Sequence, residues 1–67
     1  MSGDELLGRL LLEFGCVADG SYGDIVVVVC GDCRTTVTLN QAVVYPGELR
    51  NIERDLRPCL GDGADFR

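Results

Sequence analysis

The chain has 67 residues and a mass of 7.2 kDa, enough for one domain over residues 1–67 and too little for a nucleotide-binding fold or a barrel enzyme. Six basic residues stand against eleven acidic ones, and the net charge of −5 disfavours binding to a nucleic-acid backbone. Ordering such a short chain costs about as much free energy as apolar burial returns. We therefore expect an additional link, and the four cysteines are the obvious source.

The N-terminal segment predicts a helix. Ser2 is followed three residues later by Glu5, which is the spacing of a capping box. Apolar residues then recur at helical spacing and form one stripe, consisting of Leu6, Leu7, Leu10, Leu11 and Phe14. Gly15 is a natural left-handed stop, so we predict the first helix over residues 3–14.

The middle of the chain predicts strands. Residues 15–24 are rich in Gly and Asp and indicate an exposed loop. Residues 25–29 are β-branched throughout, which predicts a strand covered on both faces. Residues 30–33 make a turn into a half-exposed strand over 34–40, and residues 42–45 give a weaker signal for a third strand.

A second helix should follow. Pro46 favours its first turn, and its buried stripe is predicted to be Leu49, Ile52 and Leu56. Pro58 should end it, because proline disfavours helical geometry at the preceding residue, and we expect residues 63–67 to be a frayed tail. The predicted fold class is a small zinc-stabilised α+β domain, with two helices packed on a two- or three-stranded antiparallel sheet.

The location expected from the sequence is cytoplasmic. The acidic N-terminal segment lacks the basic region of a signal peptide, and no apolar run is long enough to cross a bilayer. In a reducing compartment cysteines serve as thiols or metal ligands more often than as disulfides. We therefore predict a metal site, with unlinked thiols and disulfides as the alternatives.

The cysteine spacing indicates the metal. Cys30 and Cys33 flank a two-residue turn and resemble the zinc knuckle of ribbon and treble-clef proteins, although a second Cys-x2-Cys is missing and no family function carries over. We predict Zn²⁺ bound by this pair, by Cys59 after the second helix and by Cys16 after the first. Asp62 is the alternative fourth ligand, in which case Cys16 is only packed against the first helix.

Catalytic signatures are missing from the sequence. The Cys-Gly-Asp-Cys segment resembles the thioredoxin-type Cys-x-x-Cys, but a strand follows it where that chemistry needs a helix N-terminus. The chain has no His, so it has no Ser-His or Cys-His nucleophile pair. We expect no enzyme activity.

The function predicted from these features is that of a structural-zinc protein acting as a macromolecular interaction or regulatory module, such as a phage or bacterial accessory protein. A protein partner of unknown identity is expected to contact an arginine stripe on the second helix, formed by Arg50, Arg54 and Arg57. The alternatives are a nucleic-acid-binding zinc protein that uses this stripe, and a small Cys-x-x-Cys thiol redox protein. No membrane partner is expected, whereas a homodimer would cover the apolar strand.

Overall fold

The fold consists of two helices and one antiparallel sheet. A computed structural model describes residues 1–61. In chain order its elements are α1 (Gly3–Leu12), β1 (Val17–Tyr22), β2 (Ile25–Cys30), β3 (Cys33–Thr38) and α2 (Pro46–Leu60). The α+β architecture of two helices and an antiparallel sheet is as predicted, although the third strand is not the predicted one. The predicted tail, residues 63–67, lies outside the described residues.

Helix α1 begins at the predicted cap. The Ser2 hydroxyl accepts a hydrogen bond from the backbone N–H of Glu5 at 3.1 Å, which satisfies one of the free donors of the first turn. The helix ends at Leu12, two residues earlier than predicted. Gly15 follows with a φ of 71° and turns the chain back toward the sheet.

The start of α1 lies directly against β3. A Cβ atom on Gly3 would collide with the carbonyl oxygen of Thr38, and Gly3 is buried. Only a residue without a side chain allows this close approach. The backbone N–H of Gly3 also donates to the carbonyl of Gln41 at 2.9 Å, so the N-terminus is attached to the chain that leaves β3.

The sheet has the order β1-β2-β3 and is built from two hairpins with the same loop chemistry. Both two-residue loops read Gly-Asp, and their glycines, Gly23 and Gly31, have φ values of 59° and 65°. A glycine with positive φ at the first loop position is the pattern of a type II′ turn, which matches the twist of the flanking strands.

Strand β1 lies inside the segment that we predicted to be a loop, so that prediction is wrong. Its pairing with β2 is interrupted between Ala18 and Ser21, where two residues oppose the single residue Val27. Gly20 has a φ of 117° within this bulge. All six residues of β1 are exposed, so the strand has neither the alternation nor the apolar content that would reveal it in the sequence.

The predicted third strand over residues 42–45 is also wrong. Asn40 has a left-handed φ of 57°, which turns the chain away from the sheet. The backbone N–H of Val44 then donates to the carbonyl of Met1 at 2.8 Å. The segment is therefore an irregular connection attached to the N-terminus.

Helix α2 runs past the proline that was expected to end it. Pro58 lies in its last turn, and the N–H of Gly61 still donates to the carbonyl of Arg57 at 2.8 Å. Proline has no N–H to donate to the carbonyl of Arg54, and its ring crowds that carbonyl, so α2 continues through Pro58 at a local cost. As a result Cys59 belongs to α2, whose buried stripe is the predicted one of Leu49, Ile52 and Leu56.

Both helices cover the same face of the sheet. Val26, Val28 and Val37 point toward the helices and are buried, whereas Ile25 on the opposite face is 42% exposed. Val27 and Val29 on that outer face are half-buried. The chain itself thus covers one face of β2, and the predicted cover on both faces would need a second molecule.

The homodimer remains a prediction, and it has a direct test. Stacking the outer faces of two sheets would remove Ile25, Val27 and Val29 from water. Sedimentation equilibrium should then give twice the chain mass of 7.2 kDa at micromolar concentration. A mass of one chain over the whole concentration range would contradict it.

Two glycine-to-alanine changes in α1 should have opposite effects. Gly3→Ala should destabilise the fold by about 1–3 kcal/mol, because the new methyl group forces α1 away from β3. Gly8→Ala should stabilise it by about 0.5–1 kcal/mol, because nothing lies within 4 Å of the added Cβ. Urea unfolding followed by circular dichroism measures both, and equal effects would contradict the close approach at Gly3.

Candidate functional site

The four cysteines meet at one end of the sheet, on the side of the helices. Cys30 and Cys33 are cross-strand partners in β2 and β3. Cys16 immediately precedes β1, in the position that continues the β1–β2 pairing opposite Cys30. Opposed residues on neighbouring strands point to the same face, and Cys59 reaches this end of the sheet from the last turn of α2. We call these four residues the cysteine row.

The sulfurs of the cysteine row form two disulfides. Cys16 bonds to Cys30 with a Cα–Cα distance of 4.3 Å, and Cys33 bonds to Cys59 with a Cα–Cα distance of 6.1 Å. Cys30 and Cys33 are therefore not bonded to each other, although they are neighbours. Each bonds to a cysteine of a different segment.

The predicted zinc site is wrong. The four cysteines proposed as ligands do come together, but a sulfur within a disulfide is not the thiolate that zinc binds. Within residues 1–61 no group of three or more His, Cys, Asp or Glu side chains could hold a metal ion. Asp62, the alternative ligand, lies outside the described residues.

The predictions that depended on the zinc site are also wrong. The predicted Zn²⁺ cofactor, the zinc knuckle and the zinc-stabilised domain are replaced by two disulfides, which provide the additional link that the short chain needs. The prediction of a structural-zinc interaction or regulatory module is wrong for the same reason, as is its nucleic-acid-binding zinc alternative. Metal binding and the formation of two disulfides both bring four cysteines close together. The expectation of a reducing compartment favoured metal binding, which is the wrong one of the two.

The Cys16–Cys30 disulfide is part of the core. Cys16 is 4% exposed and Cys30 is 2% exposed. The backbone N–H of Cys16 also donates to the carbonyl of Leu10 at 3.0 Å, so the residue packs against the end of α1, as its alternative interpretation predicted. This disulfide attaches the end of α1 to the central strand.

The Cys33–Cys59 disulfide lies nearer to solvent. Cys33 is half-buried and Cys59 is exposed. The turn between β2 and β3 passes beside it, since a Cβ atom on Gly31 would lie 3.8 Å from the Cys59 sulfur. Gly31 lies within the predicted turn over residues 30–33, and its missing side chain leaves room beside that sulfur.

A hydrogen bond between side chains holds α2 against β3. The hydroxyl of Thr35 donates to the Asp55 carboxylate at 3.1 Å, and Thr35 is only 5% exposed. Asp55 lies about one helical turn before Cys59, so this bond positions the helix end beside the sheet. This bond was not predicted from the sequence, although Thr35 lies two residues before Val37 and therefore on the same face of the strand, where a buried hydroxyl needs a partner.

The arginine stripe lies on the exposed face of α2. Arg50, Arg54 and Arg57 are all exposed, as expected from their spacing. The Nε of Arg54 lies 4.0 Å from an oxygen of Asp55, so part of this stripe faces a carboxylate of its own helix. A role of the stripe in binding a partner stays a prediction.

Comparisons with known proteins give no relatives. No family model, no curated protein and no solved structure matches this chain. Within residues 1–61, neither helix has the length and apolar character needed to cross a membrane. The function must therefore be argued from the cysteine row itself.

The two disulfides should contribute differently to stability. By loop entropy alone each disulfide should stabilise the folded state by about 3 kcal/mol. Cys33–Cys59 should contribute roughly 0.5 kcal/mol more than Cys16–Cys30, because its sequence separation is 26 and that of Cys16–Cys30 is 14. Removing two buried sulfurs adds a packing cost of about 1–2 kcal/mol. We expect Cys16→Ala/Cys30→Ala to be the less stable double variant in urea unfolding.

The matched double variant is Cys33→Ala/Cys59→Ala, which also removes two sulfurs. A chain of this size has a total stability of roughly 3–10 kcal/mol. We therefore expect Cys33→Ala/Cys59→Ala to stay folded at low temperature, whereas Cys16→Ala/Cys30→Ala should be largely unfolded. The reverse order would show that chain entropy outweighs burial.

Proposed function

We propose that this protein is a small thiol redox protein in which the Cys33–Cys59 disulfide opens and re-forms by exchange with external thiols. The observation that carries the proposal is the contrast within the cysteine row, where Cys59 is exposed and both sulfurs of the other disulfide are buried. Exchange needs a thiolate to reach a disulfide sulfur, and only one of the two bonds is accessible in the folded protein.

The exchange starts at Cys59. An external thiolate attacks the Cys59 sulfur, forms a mixed disulfide with it and releases the Cys33 sulfur as a thiolate. A second external thiolate then attacks the external sulfur of the mixed disulfide, which releases Cys59 and yields an external disulfide. Two external thiols are oxidised and one protein disulfide is reduced to two thiols, so electrons and atoms balance.

The difference in exposure between the two sulfurs sets this direction. Both sulfurs of the bond lie beside the C-terminal end of α2, so the helix macrodipole acts on both and does not distinguish them. Cys59 is exposed, whereas Cys33 is half-buried. An external thiolate therefore reaches the Cys59 sulfur first, and the Cys33 sulfur is the leaving thiolate.

The buried disulfide supports the fold during this exchange. Opening Cys33–Cys59 frees the end of α2, while Cys16–Cys30 still attaches α1 to β2. The Thr35–Asp55 hydrogen bond and the buried stripe of α2 keep the helix near β3. The reduced form is thus expected to remain folded and ready to re-form the bond.

The proposed exchange is stoichiometric. The chain contains no His, the usual base for activating a thiol near neutral pH. Each chain would carry one pair of electrons between thiol partners, in keeping with the expectation of no enzyme activity.

A cytoplasmic location is part of the same proposal. Cytoplasmic disulfides are usually transient and redox-sensing, and the cycling Cys33–Cys59 bond fits that case. Persistent disulfides are typical of oxidising compartments, so the proposal requires that burial shields Cys16–Cys30 from cytoplasmic thiols. The reduction potential of Cys33–Cys59 should then lie above about −300 mV, within reach of the cytosolic glutathione pool.

Graded reduction tests the proposal. The oxidised protein is incubated with increasing dithiothreitol, alkylated and mapped by mass spectrometry. We expect Cys33 and Cys59 to be alkylated about tenfold faster than Cys16 and Cys30, because access limits exchange. Equilibration in glutathione buffers then gives the potential of the exposed bond.

The control is Cys33→Ala/Cys59→Ala, which should release thiols only at the slower rate expected for Cys16 and Cys30. Simultaneous reduction of both bonds would mean that exchange requires unfolding. A potential well below −300 mV would mark Cys33–Cys59 as a structural link. Either result would refute the proposed function.

A further inference from the structure

We propose that a groove between β3 and α2 binds an extended basic peptide segment of a partner protein as a fourth strand. This β3–α2 groove is bounded on one side by Thr35–Thr38 of β3 and on the other by Glu48, Asn51 and Asp55 of α2. Its floor is apolar, with Leu6, Val37, Val44 and Ile52 beneath it. The proposal is independent of the redox chemistry of the cysteine row.

Strand β3 offers unpaired backbone groups along this groove. It is the last strand in the order β1-β2-β3, and its hydrogen bonds alternate between β2 and the open side. Leu39 donates to the carbonyl of Asp24 at 2.6 Å, and Cys33 pairs with Cys30 across the turn. Both Cys33 and Leu39 thus bond toward β2. Since every second residue of the strand does so, the backbone groups of Arg34, Thr36 and Thr38 face the open side.

An open strand edge beside a helix is a common binding site for extended peptides. The added strand gains affinity from backbone hydrogen bonds, and pockets for its alternate side chains give specificity. Here the cavity measures about 220 Å³, which is below the roughly 300 Å³ of the smallest ligand sites. It has room for one or two side chains and not for a cofactor.

The charge of the groove selects basic side chains. Glu48 and Asp55 stand on its helical wall, none of its lining residues is basic, and the whole chain carries −5. A lysine or arginine of the added strand would pack its methylene groups on the apolar floor and direct its charged end toward these carboxylates. The Asp55 carboxylate is already positioned at the groove, because it accepts a hydrogen bond from the hydroxyl of Thr35.

The groove has a defined length. At one end the start of α1 covers the carbonyl of Thr38, where Gly3 makes its close approach. At the other end the Cys33–Cys59 disulfide joins β3 to α2. The open stretch is therefore shorter than β3 itself, and it suits an added strand with two inward-facing side chains.

The probe is a short synthetic peptide that alternates lysine and valine, with both ends capped. Titration into the oxidised, isotope-labelled protein should shift the amide resonances of Arg34, Thr36 and the groove side of α2. The same peptide with N-methyl groups on the backbone nitrogens facing β3 should bind at least tenfold more weakly, because it lacks the strand hydrogen bonds. A glutamate-valine peptide should not bind.

Two double variants of equal charge separate the groove from the general charge of the protein. Glu48→Gln/Asp55→Asn should weaken binding of the lysine peptide at least tenfold. Glu13→Gln/Asp32→Asn removes the same charge from exposed sites outside the groove and should change binding less than twofold. Spectra of the free variants confirm that both are folded.

Several results would overturn the proposal. Equal weakening by both double variants, or equal binding of the N-methylated peptide, would show only non-specific attraction. Shifts confined to β1 would place the peptide at the other sheet edge. Concentration-dependent shifts of the Thr36 amide without peptide would show that a second copy of the chain occupies the β3 edge.

Discussion

The two disulfides of the cysteine row are the links on which this structure depends. They close one end of a sheet of three short strands, and between them they attach both helices to it. One joins the end of α1 to the central strand, and the other joins α2 to the edge strand β3. The hydrophobic core of a chain this short rarely contributes more than about 3–5 kcal/mol to stability, so the covalent links supplement the packing of the helices on the sheet.

The two links are unequal because their surroundings differ. Cys16–Cys30 is buried beside the end of α1, out of reach of an external thiol while the protein is folded. Cys33–Cys59 lies where α2 ends, beside a turn whose glycine leaves space at the sulfur. A buried disulfide and an exposed one thus lie side by side, and the proposed redox function depends on this difference.

The position of α2 connects the chemistry with the surface. Its buried stripe, the Thr35–Asp55 hydrogen bond and the Cys33–Cys59 disulfide set its distance from β3. The same distance defines the groove at the open edge of β3, which is apolar at its floor and acidic on its helical wall. Helix placement therefore determines both the accessibility of this disulfide and the shape of the proposed peptide site.

The sequence by itself determined the elements that follow from local patterns. A few neighbouring residues are enough to predict the Ser2 cap, the two amphipathic helices, the β-branched strand β2 and the turn over residues 30–33. Capping, helical periodicity and turn geometry are local properties of the chain. The gathering of four cysteines was also foreseen, since β2, β3 and α2 bring three of them to one end.

Only the tertiary structure decided what those cysteines do. Sulfur pairing depends on distances between segments that are far apart in the chain, and spacing alone is compatible with a metal or with disulfides. Strand β1 likewise exists because β2 offers it a partner, since its exposed and bulged residues carry no strand pattern. The end of α2 beyond Pro58 is held by its contact with β3, a non-local interaction that outweighs the local preference of proline for a break.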